Sequence, residues 1–73
     1  MAGSMTTTFR VGGLQDDQGR KEIEHNLIQI DGVEEVRVSL EDGTVDVRYD
    51  PEVIRREYLE RTLNSLGYSP YVR

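Results

Sequence analysis

With 73 residues, 14 acidic against 9 basic side chains, a net charge of −5 and no cysteine, the chain reads as one small acidic domain that must hold together without disulfides. The composition excludes thiolate metal sites, CxxC redox chemistry and thiol nucleophiles, and the charge disfavours nucleic acid and anionic membranes as partners. No apolar run approaches the roughly 18 residues of a membrane span, so no direct membrane insertion is expected, and the opening MAGSMTTT lacks the apolar stretch of a signal peptide.

Residues 1–5, MAGSM, are set aside as a start remnant or disordered start, with Met5 the candidate native start, and residues 6–73 are expected to form the domain. Thr6 to Val11, TTTFRV, is β-branched and alternating, with Phe9 and Val11 on one face and Arg10 on the other, which predicts a strand. Gly12 and Gly13 end it. From Asp17 to Ile30 the apolar residues Ile23, Leu27 and Ile30 recur at helical spacing. Asp16 or Asp17 suits the start of that helix as a cap and as a charge matching its dipole. Asp31-Gly32 is expected to close it, Gly32 as a left-handed cap.

In VEEVRVSL, Val36, Val38 and Leu40 alternate with Arg37 and Ser39, the pattern of a strand with one buried face. EDG is a hairpin turn. TVDVRY then turns Val45, Val47 and Tyr49 inward and Asp46 and Arg48 outward. A second helix carries Leu59, Leu63 and Leu66 on one face and ends at Gly67. Its start has two readings: Asp50 as cap with Pro51 in the first turn, or a start near Arg55 with Ile54 stapled onto Leu59. YSPYV is a short last strand, which Pro70 assigns to a sheet edge.

The order β-α-β-β-α-β, with right-handed crossovers, predicts an α+β ferredoxin-like sandwich: a four-stranded antiparallel sheet with two helices on one face. The expected core is Phe9, Val11, Leu14, Ile23, Leu27, Ile30, Val36, Val38, Val45, Val47, Leu59, Leu63 and Leu66. The other sheet face shows Thr8, Arg10, Arg37, Ser39, Asp46 and Arg48 to water, with Arg37, Asp46 and Arg48 expected as cross-strand pairs.

Several fragments together resemble the heavy-metal-associated domains, the fold of small copper chaperones and of N-terminal modules of metal-pumping ATPases. That family's pattern runs V-x-G-M-x-C-x-x-C, then I-E, then G-V-x-x-V-x-V, V-x-Y-D-P and L-G-Y. Here Val11, Gly13 and Leu14 stand in the first block, and Ile23 and Glu24 in the second. Gly32, Val33, Val36 and Val38 form the third block, followed by Val47, Tyr49, Asp50, Pro51, Leu66, Gly67 and Tyr68. The two cysteine positions fall on Asp16 and Gly19.

The resemblance therefore implies a metal loop, Gly13, Leu14, Gln15, Asp16, Asp17, Gln18 and Gly19 with Tyr68 beside it, whose soft-metal ligands are gone. No cofactor is expected, the chain is expected to serve either as a small protein-contact module or in a structural role linked to metal transport, and the cytoplasm is the expected location. The alternative is a carrier of altered preference that uses the Asp16 and Asp17 carboxylates. Hard cations want six or more oxygens and zinc wants nitrogen or sulfur, so capping is the favoured role for the pair. His25, the one imidazole, lies off the apolar stripe and has no convergent partner. An RNA-binding reading of this topology needs stacking aromatics and a basic surface, and both are missing. There is no nucleophile-base set and no phosphate-cradling glycine loop, so the chain is not expected to be an enzyme.

Overall fold

A computed structural model describes residues 3–14 and 16–72, with the backbone alone for 69–72. Gln15 of the expected loop lies outside the described residues. The elements run β1 (Met5–Gly12), α1 (Asp17–Ile28), β2 (Val33–Ser39), β3 (Thr44–Tyr49), α2 (Arg56–Ser65) and β4 (Ser69–Val72). All pairings are antiparallel, in the order β2-β3-β1-β4. β1 starts at Met5, which pairs with Tyr49. None of the helices among the described residues is long and apolar enough to cross a membrane.

Alternation on the two central strands decides the core. Phe9 and Val11 of β1 and Val45, Val47 and Tyr49 of β3 turn inward. They meet Ile23 and Leu27 of α1, Leu59 and Leu63 of α2, and Leu14 and Ile54 from the loops, in one cluster. Burying each large aliphatic or aromatic side chain supplies about 1.5–3 kcal/mol. The Tyr49 hydroxyl finds Thr7 Oγ1 at 3.2 Å, so neither buried hydroxyl is left unpaired.

Four expected core residues, Ile30, Val36, Val38 and Leu66, are only partly buried. Val36 and Val38 lie on β2, at the sheet edge. Leu66 is the C-cap of α2. Ile30 falls beyond α1, which stops at Ile28 because the Ile30 N–H tightens onto the Leu27 carbonyl at 3.1 Å. The buried stripe of α1 is therefore Gly19, Ile23 and Leu27. Gly32 does take a positive φ of 97°, but it turns the chain into β2 and does not cap α1. Leu40 lies past the end of β2 and is exposed.

The spacing Val33-x-x-Val36 has a structural cause. Residues three apart on a regular strand point to opposite faces, yet both valines pack against the core. A register shift between Val33 and Glu35 inserts the extra residue that brings them to one side.

The expected cross-strand ion pairs take a different form. Arg37 and Asp46 are register partners, but Arg37 reaches Glu35 at 3.5 Å and Asp46 accepts from the Thr8 hydroxyl at 2.7 Å. Arg48 reaches Glu34 and Glu35, each at 3.5 Å. Exposed pairs of this kind contribute little to stability.

The start of α2 follows the second reading. Arg55 is its extended N-cap, and no side chain caps the helix there. Asp50 instead forms a separate turn, its Oδ1 accepting from the Glu52 N–H at 2.9 Å. Ile54 and Leu59, the staple positions, are both buried. A cationic residue at the positive end of a helix is poorly placed. Arg55→Ser and Arg55→Asp should therefore each raise stability, by roughly 0.5–1 kcal/mol. Urea denaturation of the pair reads this directly, and a loss in both would show that Arg55 makes contacts a cap does not replace.

Candidate functional site

The loop between β1 and α1 is built from the helix outward. Asp16 is the N-cap of α1, in extended conformation, and its Oδ1 accepts the Gly19 N–H at 3.0 Å. This satisfies one of the free amides that every helix start exposes. Asp17 opens the first turn and accepts from Arg20 Nε at 2.7 Å, with Lys21 Nζ 3.8 Å away. Arg20 also reaches Glu24 at 3.1 Å, so a ladder of i,i+3 and i,i+4 pairs runs along the exposed side. Gln18 is exposed, Gly19 is buried and Leu14 is tucked into the core. His25 is exposed.

Tyr68 reaches the same place from the other helix. The Gly67 N–H donates to the Asn64 carbonyl at 3.0 Å and the Tyr68 N–H to the Leu63 carbonyl at 3.1 Å, with Gly67 at φ 98°. This is a Schellman ending, which requires the left-handed residue that glycine supplies and packs the next residue back on the helix. Leu-Gly-Tyr thus carries Tyr68 over the loop, in van der Waals range of a side chain built at Gly13.

The Tyr68 hydroxyl lies 3.4 Å from Glu22 Oε1 and donates to it. Burial first, then the Glu22 carboxylate, with Asp16 adding to it, raises the Tyr68 pKa above the ordinary tyrosine value, so the phenol stays protonated at neutral pH. Glu22 was not among the residues the sequence singled out. Its signal is its place one turn after Gly19, on the side of α1 that the loop shares.

The two ligand positions are therefore a cap and a bare backbone. Among the described residues, no three or more His, Asp or Glu side chains gather as a metal site. Asp16 and Asp17 come together in sequence, but each carboxylate is tied to its own partner within the first turn. Neither offers the nitrogen or sulfur that a soft ion needs. A separate groove at the far end of α1 is lined by Ile30, Val53, Ile54 and Tyr58, among charges of both signs.

Fold and loop together define a βαββαβ domain with a capped loop between β1 and α1. The chain belongs to the heavy-metal-associated domain family, whose description matches residues 8–69. It is 33% identical over 67 residues to human Copper-transporting ATPase 2, covering 92% of this chain but 5% of that protein. The copper chaperone CopZ of Staphylococcus saprophyticus is 32% identical over 63 residues, covering 86% of this chain and 93% of the chaperone. In three dimensions the chain superposes with a TM-score of 0.90 on the N-terminal domain of a potential copper-translocating P-type ATPase from Bacillus subtilis in its Cu(I)-loaded state. The identity there is 26%, with 96% of this chain and 88% of that one covered.

Proposed function

We propose that this chain is a heavy-metal-associated domain that has given up soft-metal binding and acts in the cytoplasm as a protein-contact module, not an enzyme, linked to metal transport. The single unit proposed from residue 6 onward takes in Met5 as well, the first residue of β1. The observation that carries the reading is the pair of ligand positions. Asp16 is engaged as a helix cap at 3.0 Å, and Gly19 has no side chain. The same ties count against a carrier built on loop carboxylates, because freeing Asp16 would cost the cap, roughly 0.5–2 kcal/mol.

The test is a set of titrations of tag-free protein with Zn²⁺, Co²⁺ and Cu²⁺, and with Cu⁺ under anaerobic, reducing conditions against a Cu⁺ chelator. The expected result is no saturable uptake. One-to-one binding that disappears in Asp16→Ala would replace this reading with the carboxylate carrier.

A further inference from the structure

A turn held by backbone hydrogen bonds shapes the groove at the far end of α1. The groove has a volume of about 770 Å³ and lies between the C-terminal end of α1 and the start of α2. Ile54, buried, and Ile30, partly buried, line it, and Val53 and Tyr58 stand 59% and 51% exposed beside them. The Asp50 N–H donates to the Gly32 carbonyl at 2.8 Å, and the Val53 and Ile54 N–H groups both donate to the Asp50 carbonyl at 3.0 Å. A Cβ at Gly32 would meet the Val53 and Ile54 side chains at 2.9 Å, so only glycine lets the turn seat this close. Charge is uneven around this lining. Arg20, Lys21, Arg37, Arg48 and Arg56 each pair with a carboxylate. Among the described residues Arg10, Arg55 and Arg61 form no such pair, and the last two line the groove. Of the acids there, Glu57 already has Arg56 at 3.8 Å, which leaves Asp31 as the free carboxylate. In a chain of net charge −5, free cations thus outnumber free carboxylates at this one apolar groove. Arg55 is also unfavourable for the fold, standing at the positive end of α2, and a residue that opposes its local rule is expected where function holds it.

We propose that this groove docks an acidic segment of a partner protein, one that seats an aliphatic or aromatic side chain against Val53, Ile54 and Tyr58 and sets carboxylates against Arg55 and Arg61. Complementary charge of this kind orients a partner and speeds its encounter, and one large apolar anchor supplies much of the affinity. The inference rests on the reading of the chain as a protein-contact module, and gives that module its surface and its partner's chemistry. The 12 residues of α1, about 18 Å of helix, separate the groove from the loop at 16–19, so a segment docked here leaves the loop uncovered.

Short synthetic peptides test this on isotope-labelled protein, read by amide chemical shifts: a central Phe flanked by glutamates, the same peptide with Ala in place of Phe, and a central Phe flanked by lysines. The first should saturably shift the amides of Ile30, Val53, Ile54 and Tyr58, leave those of Asp16 and Gly19 unmoved, and bind more weakly as salt rises. The Ala peptide, lacking the anchor, and the lysine peptide, with the wrong charge, should each bind about fivefold more weakly or worse. Arg61→Glu should weaken the first peptide by about the same factor. Arg55→Ser should lose affinity while gaining stability, a split that a purely structural arginine would not give, and it carries the comparison if Arg61→Glu does not fold. No shift with the first peptide, equal binding of the lysine peptide, or shifts centred on the loop would overturn the proposal. Groove shifts that appear on raising the protein concentration without peptide would overturn it in favour of a second copy of the chain. The metal titrations of the wild type judge the loss of soft-metal binding separately from all of these outcomes.

Discussion

Leu63→Ala and Leu27→Ala should each leave the domain largely unfolded under mild conditions. Both side chains are fully buried, one on each helix, in a single cluster with the two central strands. Truncating such a leucine removes its transfer free energy and leaves a cavity, together about 2–5 kcal/mol. A domain of this size without disulfides holds on the order of 3–5 kcal/mol in total, so either change consumes most of it. The thermal midpoint should fall by ten degrees or more. Neighbouring positions supply the contrast. Ile28 is next to Leu27 but 47% exposed, and Ile30 lies past the helix end. Ile28→Ala and Ile30→Ala should each cost well under half as much as Leu27→Ala in a chemical denaturation series. A cost at Ile30 equal to that at Leu27 would mean that α1 runs on to Ile30, as its apolar spacing alone implies.

That contrast shows what the sequence carried and what it did not. Element order was legible because two periods coexist without conflict: alternation in TTTFRV and TVDVRY, and four-residue spacing from Ile23 to Leu27 and from Leu59 to Leu63. The ends were not. Ile30 has the right spacing for the α1 stripe, but a carbonyl-to-amide bond three residues long ends the helix first, and nothing in the residue types announces it. Asp50-Pro51 has the chemistry of a helix start, yet Asp50 spends its carboxylate on a local turn. The bulge at Glu34 was hidden in plain spacing, since Val33 and Val36 fit one face only once the register shift is known.

The site was legible in position but not in contact. Asp16 as a cap follows from its residue type and place. Tyr68 over the loop followed from the resemblance, and its physical cause is the left-handed turn at Gly67. The approach of Tyr68 to Gly19 joins residues 49 apart in sequence, and its closeness depends on an absent side chain. A missing Cβ leaves no periodic signal. The charges Asp17, Arg20 and Glu24 were visible individually, while their pairing depends on rotamers that local sequence does not fix.

Placing the two thiolates back into the loop should restore soft-metal binding. Asp16→Cys and Gly19→Cys put one sulfur at the N-cap and one in the first turn of α1, three residues apart at the helix start. Partial positive charge and free amides there lower thiol pKa values and favour thiolates, and two thiolates suit Cu⁺, a soft ion. Losing the Asp16 cap costs roughly 0.5–2 kcal/mol, and replacing a helical glycine returns up to about 1 kcal/mol, so the double variant should still fold. The Cβ that Gly19→Cys introduces, however, begins 2.6 Å from where the Tyr68 hydroxyl oxygen now lies. That oxygen is the far end of a half-buried side chain, so a small turn of the ring makes room for it. In competition against a Cu⁺ chelator, without oxygen and with reductant, the double variant should take up one ion per chain, and wild type should show no uptake. A folded double variant that competes no better than wild type would show that positions 16 and 19 do not converge on a metal, and that this loop differs from its metal-carrying relatives in backbone as well as in ligands.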